Sequence, residues 1–437
     1  MSLCSTCTQS DLSGPAPTHR VRFVALMSET TSTPPTWRSA LRHAGLAYVI
    51  SRLCVAAGAA VVAAELRADE NRVRERFIWG FFEKADPHAR TASLPRSATS
   101  MILDVLTSWD GQWYMRIIRR GYPTSVPPDV TYFDPEARLA FFPTYPGLVR
   151  IVDRVLPGGD TFAALFTNLV LGAIFVLLVG LLARAWFGLA TARNAMVLVA
   201  VFPGSFVLSF AYSEALLLAI AAACLLALHR ERWLLAGLLA ALGTATRPNG
   251  LALVAACAVA ALVAVRRERR WSSLSSALLA PLGFIGYQLF IDSHAGESRV
   301  WFRVQSEAWD EGASFGLTAI RNTIDAFRHP LTSPTDTITA VSFLVAVALV
   351  LVAVRHLRNR TLWPALAYSA VVVILMLLPS TVTARPRFLF TAFPLLIVLA
   401  DWLNHDRRRE WMPWLVALGT AGVAVLSALY GVYGAVP

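Results

Sequence analysis

The sequence predicts an all-α polytopic membrane protein, a bundle of about eleven transmembrane helices. Of its 437 residues, 56% are hydrophobic and 15% are charged, whereas soluble proteins average about 45–50% and about 25%. Apolar stretches long enough to cross a bilayer recur along the chain, and arginine clusters occupy every second short loop between them. These observations exclude a soluble globular enzyme, a disordered protein and a fibrous repeat.

The apolar stretches are expected to be the membrane spans, each about 20 residues in length. They cover residues 44–64, 162–187, 194–211, 213–229, 232–246, 249–265, 273–291, 337–354, 362–379, 388–403 and 411–434. Because basic short loops lie on the cytoplasmic side, their alternation predicts an inner N-terminus and an outer C-terminus. The net charge of +11 is therefore attributed to cytoplasmic loops, and no nucleic-acid partner is expected.

One transmembrane domain preceded by an N-terminal tail is expected. Residues 1–43 are rich in Ser, Thr and Pro at their start and are predicted to be a disordered cytoplasmic tail, and residues 44–434 to be a single transmembrane domain. The first span contains one charged residue, Arg52, which is expected to snorkel or to pair with a neighbouring helix.

Two outer connections, residues 65–161 and 292–336, are too long to be simple turns, and long loops on a rigid scaffold are usually functional. Apolar residues at helical spacing between Ala98 and Arg120 predict an interfacial helix with its tryptophan face toward lipid. The run Phe141-Phe142-Pro143-Thr144-Tyr145-Pro146 is expected to form a rigid corner just before the second span.

The first candidate for chemistry is Asp110, which lies in the run Trp109-Asp110-Gly111-Gln112-Trp113-Tyr114. A carboxylate held among aromatic residues at a membrane surface can accept a proton from a sugar hydroxyl. The alternative interpretation is one polar residue on an interfacial helix.

Three arginines, Arg247, Arg385 and Arg387, lie at the predicted outer ends of spans. Arginine forms planar, bidentate contacts with phosphate, although an arginine at a helix end can equally be a snorkelling anchor. Glu214, at the outer start of the fourth predicted span, is either a structural acid or a site residue.

These motifs, in this order, resemble those of the PIG-V-type mannosyltransferases of the GT-C glycosyltransferase superfamily. The resemblance begins at Trp109, continues through Tyr212-Ser213-Glu214 and Thr246-Arg247-Pro248-Asn249-Gly250, and ends at Pro394. It implies a GT-C-like bundle that transfers mannose from a polyprenyl- or dolichyl-phosphate-mannose donor to a lipid-linked glycan acceptor on the outer face. Asp110 matches the position of the family's catalytic carboxylate.

These residues are sufficient for a mechanism with one general base and a set of phosphate-binding cations. Asp110 would act as general base in an inverting transfer, and Arg247, Arg385 and Arg387 would bind the donor phosphate. Further substrate contacts are assigned to Trp109, Trp113, Tyr114, Glu136, Tyr145 and Glu214. No organic cofactor and no metal ligand set is predicted, and a divalent ion is left open.

The expected location is a cell membrane, the plasma membrane in a bacterium or the endoplasmic reticulum in a eukaryote. The basic residues are nearly all arginine, with a single lysine at Lys84, which favours a bacterial member of the family. Two other classes stay open: a secondary transporter or lipid flippase, which would carry charges deep in its spans, and a non-catalytic membrane subunit.

Overall fold

The computed structural model describes residues 36–68, 97–330 and 333–433. Within these ranges every regular element is helical, and the one β-type pairing is an isolated bridge between Ala313 and Pro379. The predicted all-α class is confirmed, and the protein is a multi-pass membrane protein.

Eighteen α-helices are present in the described residues, numbered here in chain order. They are α1 Trp37–Ala68, α2 Ala98–Leu106, α3 Asp110–Arg120, α4 Thr144–Asp153, α5 Gly159–Phe187, α6 Leu189–Val201, α7 Glu214–His229, α8 Trp233–Thr244, α9 Ala252–Glu268, α10 Leu274–Leu279, α11 Leu282–Ala295, α12 Val300–Glu307, α13 Leu317–Arg328, α14 Pro334–Val354, α15 Trp363–Leu377, α16 Pro386–Thr391, α17 Pro394–Leu403 and α18 Met412–Tyr433. Short 3₁₀ helices precede several of them, including Pro203–Ser209 and Pro248–Leu251.

Each predicted span coincides with an apolar helical segment. Seven segments in the described part of the chain are long and apolar enough to cross a membrane: Trp37–Glu65, Gly159–Phe187, Pro248–Glu268, Trp271–Ala295, Pro334–Val354, Arg360–Leu377 and Arg407–Tyr430. The third predicted span is a pair of helices bent by 73°, α6 and the 3₁₀ helix Pro203–Ser209. The remaining three, α7, α8 and α17, are shorter apolar helices, and the count of eleven crossings stays a prediction.

Arg52 explains how the bent segment keeps its backbone satisfied. Its guanidinium donates to the Ser205 carbonyl at 2.7 Å, to Ser205 Oγ at 3.0 Å and to Ser209 Oγ at 3.0 Å. A break in an apolar helix leaves backbone acceptors that need a donor inside the protein. Arg52 therefore pairs with a neighbouring segment, which is one of the two outcomes expected for it.

The start of the first helix corrects the predicted tail boundary. Helix α1 begins at Trp37, so residues 37–43 are helical, although composition placed them in the tail. The prediction for residues 1–35 and the part of the first outer loop at 69–96 lie outside the described residues.

The predicted interfacial helix over 98–120 is wrong in two respects. It is broken into α2 and α3 at Trp109, whose φ of 57° and ψ of −123° are incompatible with a continuing helix. Its tryptophan face also lies inside the protein, since Trp109 is 5% exposed and Trp113 is 1% exposed. Burial against other helices replaces the lipid contact that the apolar spacing suggested.

The expected corner at 141–146 is also different in detail. Phe141 is extended, Pro143 caps a helix, and Tyr145 and Pro146 already lie in the first turn of α4. Proline is tolerated in a first turn because its missing N–H has no helical partner there.

Candidate active site

Four charged side chains meet where four helical elements begin. Asp110 is the first residue of α3 and Glu214 the first of α7, while Arg247 precedes the 3₁₀ helix Pro248–Leu251 and Arg387 is the second residue of α16. A helix N-terminus favours an acid and disfavours a cation. The two arginines therefore depend on the neighbouring acids, and we call these four residues the ion-pair network.

Asp110 and Arg387 form the outer pair of this network. Arg387 Nη1 donates to Asp110 Oδ2 at 2.5 Å, across 277 residues of sequence. The side chains are 15% and 11% exposed, so the pair is mostly removed from water but still reachable. No described residue donates a hydrogen bond to Asp110 Oδ1, which leaves one oxygen of the carboxylate available.

Glu214 lies between the two arginines and is 1% exposed. Its Oε2 is 2.7 Å from Arg247 Nη1, and its Oε1 is 3.7 Å from Arg387 Nη1. Neither oxygen accepts a hydrogen bond of good geometry from a described residue, so charge alone holds them. Burial by itself lowers the pKa of Arg387, but Asp110 and Glu214 outweigh it and raise that pKa. Glu214 likewise raises the pKa of Arg247 against the effect of burial.

Two hydroxyl groups extend the network on the Arg247 side. Arg247 Nη1 lies 3.3 Å from Ser213 Oγ, which is 2.5 Å from the Tyr114 hydroxyl. Burial raises the pKa of Tyr114, so this phenol stays protonated and serves as a hydrogen-bonding group. Ser213 was not predicted as a site residue, although it lies directly before Glu214 in the sequence.

Tyr212 and Tyr430 support the Asp110 side and were not predicted. The guanidinium of Arg387 lies 5.7 Å from the Tyr212 ring centre, and the Tyr212 hydroxyl donates to the Ser108 carbonyl at 3.0 Å. The hydroxyls of Tyr212 and Tyr430 are also hydrogen-bonded to each other. Tyr430 belongs to the last helix, and no sequence signal connected that helix with residue 110.

Arg385 is beside the network but not bonded into it. Its Nη1 donates to Thr339 Oγ1 at 3.0 Å and to the Thr335 carbonyl at 3.3 Å, both on α14. Burial, followed by the charge of Arg387, lowers the pKa of Arg385 to about 10. The Nε atoms of Arg385 and Arg387 are buried, and neither has an acceptor among the described residues.

Three of the predicted substrate contacts, Trp109, Trp113 and Tyr145, are buried in the structure. Trp109 donates from Nε1 to the Tyr430 carbonyl at 3.2 Å. Tyr145 is fully buried under Tyr114, with ring centres 5.2 Å apart, and its hydroxyl donates to the Ala164 carbonyl at 3.3 Å. Trp113 is buried one turn after Asp110.

Glu136 is half-buried on the 3₁₀ helix Pro135–Ala140. No hydrogen bond or ion pair between described residues joins it to the ion-pair network. Likewise, within residues 36–68, 97–330 and 333–433, no three His, Cys, Asp or Glu side chains lie together as a metal ligand set.

One family profile matches part of the chain. Residues 143–290 match the family described as dolichyl-phosphate-mannose-protein mannosyltransferase. The match covers about a third of the chain and includes Glu214 and Arg247, while Asp110 precedes it and Arg387 follows it. No curated protein sequence matches the chain at a significant level.

The solved structures to which the chain is similar include three from two organisms. ArnT from Cupriavidus metallidurans, bound to undecaprenyl phosphate, is 13% identical over 74% of this chain and 70% of its own, with a TM-score of 0.43. The oligosaccharyltransferase of Archaeoglobus fulgidus in its apo form is 16% identical over 88% of this chain and 56% of its own, with a TM-score of 0.43. The archaeal oligosaccharyltransferase AglB from the same organism, in complex with an inhibitory peptide and a dolichol-phosphate, is 16% identical over 76% of this chain and 52% of its own, with a TM-score of 0.42.

Proposed function

We propose that the chain is a membrane glycosyltransferase of the GT-C type that takes its sugar from a polyprenyl-phosphate-linked donor. In its finer form, the proposal is transfer of mannose to a lipid-linked glycan on the outer face, with inversion at the anomeric carbon. The family match over residues 143–290 supports the donor class. The observation that carries the proposal is the ion-pair network, which places a reachable carboxylate within 2.5 Å of a buried arginine.

The charge balance of the site suits a phosphodiester. Asp110 and Glu214 neutralise Arg247 and Arg387, and Arg385 adds one positive charge beside them. A sugar linked to a polyprenyl phosphate carries one negative charge on its phosphate. The buried Nε donors of Arg385 and Arg387 are suited to hydrogen bonds with phosphate oxygens.

Asp110 is assigned the role of general base. Arg387 fixes Oδ2, so Oδ1 can take the proton of an acceptor hydroxyl as that oxygen attacks the anomeric carbon. The bond between the anomeric carbon and the phosphate oxygen breaks, and its electron pair leaves with the polyprenyl phosphate. The arginines stabilise the charge that develops on this leaving group, and no acid is needed to protonate it.

Glu214 is assigned a positioning role, not a substrate contact, because its side chain is 1% exposed between Arg247 and Arg387. The proposed orientation places the network on the extracytoplasmic side of a bacterial plasma membrane, with residues 44–434 as one transmembrane domain. A bacterial glycolipid or cell-wall glycan is the proposed acceptor class.

The proposal is tested with purified protein in lipid nanodiscs and decaprenyl-phosphate-[³H]mannose. We expect radiolabel to move from the donor to a glycolipid fraction extracted from bacterial membranes. A flippase would move the donor between the leaflets of a vesicle without breaking its sugar–phosphate bond. Intact donor after prolonged incubation, with the donor bound, would contradict the proposal.

A further inference from the structure

We infer that four aromatic side chains beside Asp110 form the binding surface for a pyranose ring of the acceptor. These residues are Trp113, Tyr132, Phe141 and Trp309, called the aromatic wall here. The inference rests on the proposed function and deepens it, because it assigns the acceptor subsite to named residues.

The wall is assembled from three separate segments around Trp309. The Trp309 ring centre lies 4.4 Å from that of Tyr132, 5.5 Å from that of Phe141 and 6.0 Å from that of Trp113. Trp113 and Phe141 are buried, whereas Tyr132 and Trp309 are half-buried. The wall therefore has a fixed inner layer and an accessible outer edge.

Two polar atoms, one on Trp309 of the wall and one on Glu311 two residues later in the chain, are buried without partners. The indole Nε1 of Trp309 and the carboxylate Oε1 of Glu311 have no hydrogen-bond partner in the described part of the chain. Glu311 Oε2 is held by the Thr381 hydroxyl at 2.8 Å, which fixes the carboxylate and leaves Oε1 unused. A buried polar group without a partner costs free energy. Trp309 Nε1 is a hydrogen-bond donor and Glu311 Oε1 an acceptor, and together they point to a polar ligand.

The wall is next to the proposed base. Trp113 follows Asp110 by three residues on α3, and such residues share a helix face. Burial raises the pKa of Tyr132, and Asp110 and Arg387 are both close enough to act on the same hydroxyl. A sugar resting on the wall can therefore bring a hydroxyl to Asp110.

A sugar ring matches this surface better than a hydrocarbon chain does. The C–H face of a pyranose packs on the negative face of an aromatic ring, and its hydroxyls can bond Trp309 Nε1 and Glu311 Oε1. The isoprenoid chain of the donor could pack on the rings, but it would leave both polar atoms unpaired. The geometry points to the acceptor saccharide.

The test measures saturation-transfer NMR of methyl α-D-mannopyranoside with the full chain in nanodiscs, beside the binding of decaprenyl phosphate. We expect the wild type to give a sugar signal above that of a glycerol control. Trp309→Ala and Glu311→Gln should each weaken sugar affinity at least fivefold and leave decaprenyl phosphate affinity within twofold. Trp271→Ala, at a residue that is 66% exposed, is the matched control and should change neither affinity.

Three results would overturn the inference: no sugar signal in the wild type, unchanged sugar affinity in Trp309→Ala, or a loss confined to decaprenyl phosphate. The last result would assign the wall to the lipid chain. Because decaprenyl phosphate binding and donor cleavage are measured separately, a failed acceptor subsite is distinguishable from a failed glycosyltransferase assignment.

Discussion

Glu214 is the buried centre of the ion-pair network, with one arginine on each side. Replacing it with Gln removes the charge that balances Arg247, and leaving a buried charge unpaired costs about 3–5 kcal/mol. We expect Glu214→Gln to lower the free energy of unfolding by roughly that amount, measured by SDS-induced unfolding in mixed micelles.

The control for this prediction is Glu231→Gln. Glu231 also pairs with an arginine, Arg270, but both side chains are nearly half exposed, and exposed pairs contribute about 0–1 kcal/mol. Equal effects of the two substitutions would show that Glu214 is not a buried anchor.

Arg387 contacts both acids and has a buried Nε without an acceptor among the described residues. In the proposed function it binds the donor phosphate, and a hydrogen bond to a charged group contributes about 1.5–3 kcal/mol. Arg387→Ala should weaken decaprenyl phosphate binding by that amount, roughly 10- to 150-fold in Kd, as measured by isothermal titration calorimetry.

Arg328→Ala provides the comparison, since Arg328 is exposed at the end of α13 and should leave the affinity unchanged. If the folded Arg387→Ala protein bound decaprenyl phosphate within twofold of the wild type, Arg387 would be a structural cation only.

At the scale of single elements, the bent span formed by α6 and Pro203–Ser209 depends on Arg52. Arg52→Met keeps much of the apolar stem but removes the donors to the Ser205 carbonyl and the Ser209 hydroxyl. Hydrogen bonds from a charged group are worth about 1.5–3 kcal/mol, so we expect a loss of at least about 2 kcal/mol in SDS unfolding. Arg42→Met, an exposed residue of the same helix, should have no comparable effect. A similar stability for both variants would contradict this role.

Element positions were largely predictable, and the breaks between elements were not. Hydropathy located the seven helical segments in the described residues that are long enough to cross a membrane, because the bilayer demands about 20 apolar residues for each span. The break at Trp109 was not predicted. Hydrophobic periodicity depends only on where apolar residues lie, and an apolar Trp109 fits the pattern of a continuous helix. Its backbone is bent by tertiary contacts such as the bond from Trp109 Nε1 to the Tyr430 carbonyl, which no local pattern encodes.

The charged residues of the site were predictable from the sequence, but the ion pairs that they form were not. The sequence placed Asp110, Arg247 and Arg387 on one side of the membrane, and the structure brings them together through Glu214. Which acid faces which arginine depends on how helices far apart in sequence pack. The role of Tyr430 depends on the same packing and left no signal in the sequence.

At the scale of the whole molecule, the topology gives a direct prediction. In a variant lacking the five native cysteines, Asp129→Cys and Arg267→Cys place exposed thiols at opposite predicted faces. In intact cells, an impermeant maleimide should label the cysteine at 129 and reach the one at 267 only after permeabilisation. The reverse pattern would contradict the orientation and place the ion-pair network inside the cell.

The assignment of Asp110 as general base is tested by the rate of mannose transfer by Asp110→Asn. Asn keeps the size of the side chain but cannot take a proton, so turnover should fall about 10²- to 10⁴-fold, the usual contribution of a general base. Decaprenyl phosphate binding should survive, and Asp104→Asn, on the preceding helix, should stay active as the control. A folded, donor-binding Asp110→Asn protein that transfers mannose at the wild-type rate would contradict the assignment.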